Sequence, residues 1–506
     1  MPKDKLNFLA LDLGAESGRA MLGQFDGQRL QLSEVHRFDN GPVRLPSDGT
    51  GCRLHWDVLR LWSEIKHGIA LAAQKHGNEV SSVGLDTWGV DFGLLDRSGA
   101  LLGNPYHYRD SRTDGMVDEA FRRVGREEIF ERTGIQFMQL NSLYQLLSMA
   151  VNESPLLEVA ETFLTMPDLF NYWLTGRKAC EFSIATTTQC YDPRAGDWAR
   201  PMLEKAGIPT RIFSEIVPPG TVLGDLLPEV AEEVGTGVST GTSVPVIAPA
   251  CHDTGSAVAA VPAAGADFAY ISSGTWSLMG AELAEPIINA DSLAYNFTNE
   301  GGVGGTFRFL KNIMGLWLVQ ESRRTWASQG ESLSYGELTQ MAAEAEPLRA
   351  VVDPDDGDFL KPGDMPARIR AFCERAGQPV PESKGAIVRC ALESLALKYR
   401  WTLERLEEML GRRLEPIHII GGGTQNRLLN QLAADATGRR VVTGPIEATA
   451  IGNVLVQMMA LGHIGSIKEG RRIVRTSFDV ETYEPQGGSE WDDAYGRFLE
   501  VTEVNG

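Results

Sequence analysis

Short apolar runs that end in small residues alternate along this chain with longer stretches in which apolar positions recur every three or four residues. The runs "FLALDLG" from Phe8, "SVPVIAPA" from Ser243, "PIHIIGGG" from Pro416 and "RRVVTGP" from Arg439 have the length and the glycine or proline borders of buried strands. Two longer segments, "SSVGLDTWGVDFGLLD" from Ser81 and "DFAYISSGTWSLMG" from Asp267, read as strands interrupted by turns. The stretches "VLRLWSEIKHGIALAAQKHG", "GAIVRCALESLALKYRWTLERLEEMLG" and "TQNRLLNQLAADATG" carry the helical period. After the first strand, "RAMLGQFDGQRLQLSEVHRF" alternates around an Asp-Gly pair, which predicts a β-hairpin where a helix would follow in a mononucleotide fold. The interleaving predicts an α/β protein.

A weak similarity spans the chain. "LDLGAESGRAMLG" near the start and "YISSGTWSLMGAEL" at 270–283 both read as strand, small-residue turn, strand. With 506 residues the chain is longer than a single core usually grows. The expectation is two related domains with a cleft between them, an N-terminal one over 1–249 and a C-terminal one over 250–506. No short tandem repeat or low-complexity linker interrupts them.

The formal charge of −20 argues against nucleic acid or an anionic membrane as the main partner. Any anionic ligand must therefore be held by local groups. The six cysteines, at 52, 180, 190, 251, 373 and 390, form no C-x-x-C pair, so neither a zinc site nor a disulfide scaffold is expected, though whether Cys373 and Cys390 pair stays open. Asp12 interrupts the apolar N-terminus before a leader could form, and no later run is long enough to span a bilayer. These features lead us to expect a soluble, cytoplasmic protein of undetermined oligomeric state.

Candidate chemistry gathers at the small-residue turns. The first, after Asp12, lacks the spacing of a Walker loop and opens a hairpin, so it fits neither that motif nor a dinucleotide fingerprint. It could still present amides to phosphate, with Asp12 holding a hydrated Mg²⁺, or be an ordinary hairpin. Ser272, Ser273, Gly274 and Thr275 supply hydroxyls and amides in a second turn. Gly421, Gly422 and Gly423 sit between a strand and a helix, where a flat base could lie on bare backbone or the chain could simply turn tightly. Asp253, after His252, is either a helix N-cap or a general base that accepts a hydroxyl proton. Asp86, Trp88 and Asp91 could offer acceptors and an apolar ring to a sugar, or be buried.

Taken together, "DLGAESGR", "GLDTWGVDFGLLD", "YRDSRT", "RTGIQFMQLNSLYQL", "MPDLFNYWLTG", "ATTTQ", "HDTGSAV", "SSGTWSLMG", "TNEGGVGGTFRFLKNIMGLWL" and "GGGTQNRLLNQLAADATGRRV" resemble the FGGY carbohydrate kinases of the actin-like, RNase H-like superfamily. The likeness covers nearly the whole chain, and "SSGTWSLMG" and "KNIMGLW" point to one ketose-specific branch. It implies two actin-like domains in which ATP and a ketose meet, with Asp253 as catalytic base. Ala15, Glu16, Ser17, Gly18 and Arg19 would form the first phosphate loop, Thr275 the second, and Gly422 would touch the adenosine. Asn312 and Gln320 match substrate- or nucleotide-contacting positions, and Gly89, His252, Asp253 and Thr254 match sugar contacts. The implied reaction is phosphorylation of L-rhamnulose at O1, with L-fuculose or xylulose as same-fold alternatives and a non-catalytic sugar-sensing protein as a reading from another class. Relatives usually carry a small or hydroxyl residue where this chain has Glu16.

Overall fold

The computed structural model describes residues 5–47, 51–75, 80–236 and 243–503. The extreme N-terminal residues of the leader reading, and His76 and Gly77 at the end of the first expected helix, lie outside them. The chain forms two compact units, each assembled from separate segments. The first comprises Met1–Pro262, Glu282–Phe309 and Ala448–Phe478, the second Ala263–Ala281, Leu310–Glu447 and Asp479–Gly506.

The sheet of the first unit runs in the order Thr221–Asp225, Pro245–Ala248, Ser82–Thr87, Leu6–Leu13, Ser17–Phe25, Leu30–Asp39. Leu6–Leu13 is flanked on both sides and buried from Asn7 onward, which is why its sequence is apolar but for Asn7 and Asp12. The expected hairpin is present, with Phe25 opposite Leu30. Its turn is fixed by Asp26, whose Oδ1 accepts the amides of Gln28 at 2.9 Å and Arg29 at 2.7 Å.

Part of that strand order recurs in the second unit. From the hairpin strand Ser17–Phe25 outward, successive pairings in the first sheet are antiparallel, parallel, parallel and antiparallel. In the second, from Trp276–Leu283 through Ala269–Ser273, Ile417–Ile420 and Val441–Thr443 to Glu481–Tyr483, the same sequence of pairings occurs. The similarity between the two turns is thus a similarity of whole sheets. It differs at the last strand, which precedes its neighbour in the chain in the first unit and follows it in the second.

The helix Ala448–Ala460 belongs to the first unit and is buried on nearly every side. Its two amide side chains are bonded to the sheet. Gln457 accepts from the Ser82 hydroxyl at 2.6 Å and donates to the Leu9 carbonyl at 3.0 Å and to Asn453 Oδ1 at 2.7 Å. Asn453 in turn donates to Asp86. Buried polar groups linked in this way add specificity to an otherwise apolar contact. Among the described residues no helix is long and apolar enough to cross a membrane. All six cysteines are free thiols, and a hydrogen bond between the buried Cys373 and Cys390 pulls the first below the usual thiol range and pushes the second well above it.

Candidate active site

In the first unit the parallel strands Leu6–Leu13, Ser82–Thr87 and Pro245–Ala248 end side by side. Such carboxyl ends are where open α/β sheets receive ligands. Asp12 stands in register with Arg19 on one side and Asp86 on the other, so the three share a row on one face. The turn between the first two strands is closed by Gly14 donating its amide to the Ser17 carbonyl at 2.9 Å. Asn40 takes two further carbonyls, its side chain donating to Gly14 at 2.8 Å and its amide to Glu16 at 2.9 Å. With its carbonyls engaged, what the turn can offer an anion is amides.

The glycines of that turn serve a purpose other than left-handed backbone, for neither Gly14 nor Gly18 has a positive φ. A Cβ on Gly18 would fall 2.1 Å from the Phe38 ring, so this glycine is set by packing against the hairpin's far strand.

Asp253 is the first residue of the helix Asp253–Ala259, and the capping position belongs to His252. The N-cap reading of Asp253 therefore does not hold. Its carboxylate is about one-third exposed, at 30%. Among the described residues its partners are all on one oxygen: Oδ1 accepts the amide and, at 3.1 Å, the hydroxyl of Thr254, and lies 3.4 Å from His252 Nε2. Oδ2 is left to act on something else. The loop carrying Asp253 is anchored from below by Glu181, the fully buried cap of the helix Phe182–Thr187, whose Oε2 accepts the Cys251 amide at 2.9 Å. The Ser183 hydroxyl accepts the His252 amide at 3.1 Å and donates to Glu181 at 2.5 Å. Burial pushes the Glu181 carboxyl up to about 7.

Gly89 lies against this group, since a Cβ there would be 3.3 Å from His252 Nε2. The next residue, Val90, has φ of +67°, a conformation that a β-branched side chain rarely adopts. It is held there by Thr187, which accepts its amide at 3.2 Å, and by the Ser142 hydroxyl, which donates to its carbonyl. Local strain of this kind collects at ligand-handling loops.

Of the three residues read as possible sugar contacts, none is open. Asp91 accepts from Trp56 at 2.6 Å, Trp88 at 3.0 Å, the Tyr108 amide at 3.2 Å and Gln145 at 2.9 Å, so its carboxylate is a buried staple raised by burial to about 6. Trp88 packs against Trp56, with ring centroids 4.0 Å apart and the planes tilted by 34°. Asp86 is fully buried, and burial followed by the charge of Asp12 raises its carboxyl well above the usual range, with Asp253 adding to the effect and Arg19 opposing it.

In the second unit Thr275 and Gly274 form the turn between Ala269–Ser273 and Trp276–Leu283. Thr275's carbonyl accepts the amides of Gly315 and Trp317, each at 3.2 Å, and Gly274's that of Leu316 at 3.0 Å. The turn is thereby tied to the start of the helix Trp317–Ser328, which carries Gln320, and to the end of Phe307–Met314, which carries Asn312. Gly421 has φ of +86°, and a Cβ on Gly423 would lie 2.0 Å from Ser273 Oγ, so both are needed for the turn. Gly422 between them is exposed, with nothing within 4 Å of where a Cβ would stand. Thr275, Asn312, Gln320 and Gly422 are thus brought to one end of the second sheet, as Asp12, Ala15–Arg19, Gly89 and His252–Thr254 are in the first.

Residues 7–260 match the N-terminal domain of the FGGY family of carbohydrate kinases and residues 269–461 its C-terminal domain. The chain belongs to this family. It is 46% identical to a rhamnulokinase from Bacteroides thetaiotaomicron, over 98% of this chain and 99% of that protein. To a rhamnulokinase from Oceanobacillus iheyensis it is 43% identical over 94% of this chain and 97% of that one. Among solved structures, gluconate kinase from Lactobacillus acidophilus superposes with a TM-score of 0.79 at 16% identity, covering 99% of this chain and 98% of that one. At such low identity the likeness establishes the actin-like, RNase H-like fold.

This FGGY kinase therefore acts on a carbohydrate, and several residues that shape its site were not singled out by the motifs. Asn40, which holds the first turn, and Glu181 and Ser183, which anchor the loop before Asp253, resemble ordinary polar positions in sequence. Two signals were available: an arginine inside the apolar strand "FRFL" and the Asn453–Gln457 pair, one helical turn apart in "AIGNVLVQMMA".

Proposed function

We propose that this FGGY kinase transfers the γ-phosphoryl group of ATP to the 1-hydroxyl of L-rhamnulose, giving L-rhamnulose 1-phosphate and ADP in the breakdown of L-rhamnose in the cytoplasm. The observation that carries the reaction is the asymmetry of Asp253: Oδ1 accepts from the amide and hydroxyl of Thr254 and is approached by His252 Nε2, while Oδ2 has no partner among the described residues. Oδ2 accepts the proton of the sugar hydroxyl as that oxygen bonds to phosphorus and the bond from phosphorus to the ADP oxygen breaks. His252 and the Gly89 backbone contact the sugar, and Thr254, whose hydroxyl proton is directed to Oδ1, contacts it through its lone pairs.

Phosphoryl transfer is mainly positioning and neutralisation of charge. Amides of Ala15–Ser17 with Gly18 and Arg19 hold phosphate oxygens on the first unit. On the second, Thr275 supplies the other phosphate turn, Gly422 and Gln320 take the adenosine, and Asn312 contacts substrate. The charges of Asp12 and Asp253 both raise the buried Asp86 carboxyl, so negative charge collects beside the first turn, although among the described residues no three carboxylate, histidine or cysteine side chains gather into a metal cage. Asp12 would hold a hydrated Mg²⁺, which supplies neutralisation of the phosphate charge. The two halves divide near residue 250 in this reading.

The choice of L-rhamnulose over other ketoses rests on the rhamnulokinase relatives and their near-complete coverage. A coupled assay of ADP release with L-rhamnulose, L-fuculose and xylulose tests it. The expected result is a kcat/KM for L-rhamnulose at least tenfold above the others, and a preference for either alternative overturns the assignment. Binding of sugar without ADP release points instead to a non-catalytic protein.

A further inference from the structure

Behind His252 lie two charged side chains, both within the segment "TNEGGVGGTFRFLKNIMGLWL", to which the proposed chemistry gives no role. Arg308 has no exposed surface and Glu300 is nearly as buried. The guanidinium is held in place by Nε, which donates to the Gly301 carbonyl at 2.8 Å. One terminal nitrogen then lies 3.2 Å from Glu300 Oε2 and 3.1 Å from His252 Nδ1. Glu300 Oε2 is itself 3.3 Å from Nδ1.

The two neighbours of Nδ1 ask for opposite things. A carboxylate draws a proton onto that nitrogen, whereas a guanidinium has only protons to give. The Arg308–Nδ1 contact meets hydrogen-bond geometry. The contact from Nδ1 to Glu300 is an approach of charged atoms alone. With Nδ1 accepting, the neutral ring carries its proton on Nε2, which faces Asp253 Oδ1 at 3.4 Å. The opposite tautomer would set a ring N–H on Nδ1 against the guanidinium N–H of Arg308, 3.1 Å away.

We infer that Arg308 is a positioning residue: it fixes His252 in the Nε2–H form, so that the ring donates to Oδ1 of Asp253 and leaves Oδ2 to receive the sugar proton. Glu300 neutralises the buried guanidinium, and the guanidinium keeps Glu300 from claiming the ring proton. The catalytic part of this inference rests on the reading of Asp253 as the base.

The test is ¹⁵N NMR of histidine-labelled, ligand-free protein at about pH 8, above the ordinary histidine range. The His252 signals are assigned by their loss in His252→Gln. The native ring is expected to be protonated at Nε2, and Arg308→Gln is expected to move the proton to Nδ1. The same variant should lower kcat about 10- to 100-fold, the usual scale for partners of site residues, with the KM for ATP unchanged. Arg308→Lys, which keeps a donor and the charge, should keep the Nε2 proton and restore most of kcat. If Arg308→Gln fails to fold, Glu300→Gln decides the matter, since Arg308 remains and the Nε2 proton should stay. A native ring protonated at Nδ1, an Arg308→Gln ring that keeps Nε2–H, or a switch caused by Glu300→Gln overturns the inference. Because the tautomer is read without substrate, that outcome is separate from the failure of Asp253 as base, which turnover of Asp253→Asn measures.

Discussion

Asp86 and Asn453, 367 positions apart in the chain, share a hydrogen bond of 2.6 Å in the interior of the first unit. Among the described residues the amide is the side-chain partner of Asp86, and Oδ1 of the same carboxyl is buried with none. Asn453→Ala should therefore destabilise the fold by about 1–3 kcal/mol, the cost of stranding a buried polar group. Urea unfolding checks this, and Asp86→Asn in the same chain should not add a second loss of equal size, because the two residues act as a pair.

Asp253→Asn keeps an acceptor for Thr254 but cannot take up a proton. Turnover should fall about 10²- to 10⁴-fold, the range of general-base catalysis. Nucleotide affinity, measured by calorimetry, should stay within about threefold of the native value, since Asp253's contacts are with His252 and Thr254.

Neighbouring glycines at the third turn should respond differently. Gly423→Ala drives a methyl into Ser273, including its carbonyl at 2.9 Å, and should lower stability by about 1–3 kcal/mol as overpacking does. Gly422→Ala meets open space, so its melting temperature should hold while the KM for ATP rises. Equal losses of stability in the two variants would remove Gly422 from the nucleotide site.

A pH dependence follows from Asp168 beneath the Asp253 loop. It is buried, accepts the Glu181 amide at 3.1 Å and a bond from the Thr165 hydroxyl, and burial raises it to about 8. An acid with a raised folded-state pKa binds its proton more tightly when folded. The stability it contributes is full below its unfolded value, near 4, and is lost as pH rises through about 8. Glu181, raised to about 7, acts in the same direction. Thermal unfolding should show stability declining between those limits, and Asp168→Asn, which can still accept from Glu181 and donate to Thr165, should flatten the decline.

The strands and helices were legible because their apolar patterns are local, and the hairpin because Asp26 and Gly27 encode their own turn. Candidate residues at strand ends, such as Asp12, Asp253 and Gly422, could be found because small residues mark those ends. The sugar-contact reading of Asp86, Trp88 and Asp91 fell because an alternating strand does not say which polar side chain has a buried partner. Trp56, Gln145 and Asn453, which engage them, come from distant segments. The same distance hid Arg308, whose role depends on a histidine 56 positions earlier.

The helix Ala448–Ala460 has a consequence for synthesis. On the ribosome, Leu9, Ser82 and Asp86 are made long before Asn453 and Gln457, which bond to them. At about 5–20 residues per second, roughly 10–40 s separate translation of residue 262 from that of residue 448. During that interval the nascent sheet carries an unpaired buried acid and an uncovered apolar face. A chain cut short before Ala448 therefore lacks both the amide that pairs with Asp86 and the helix that packs on this sheet.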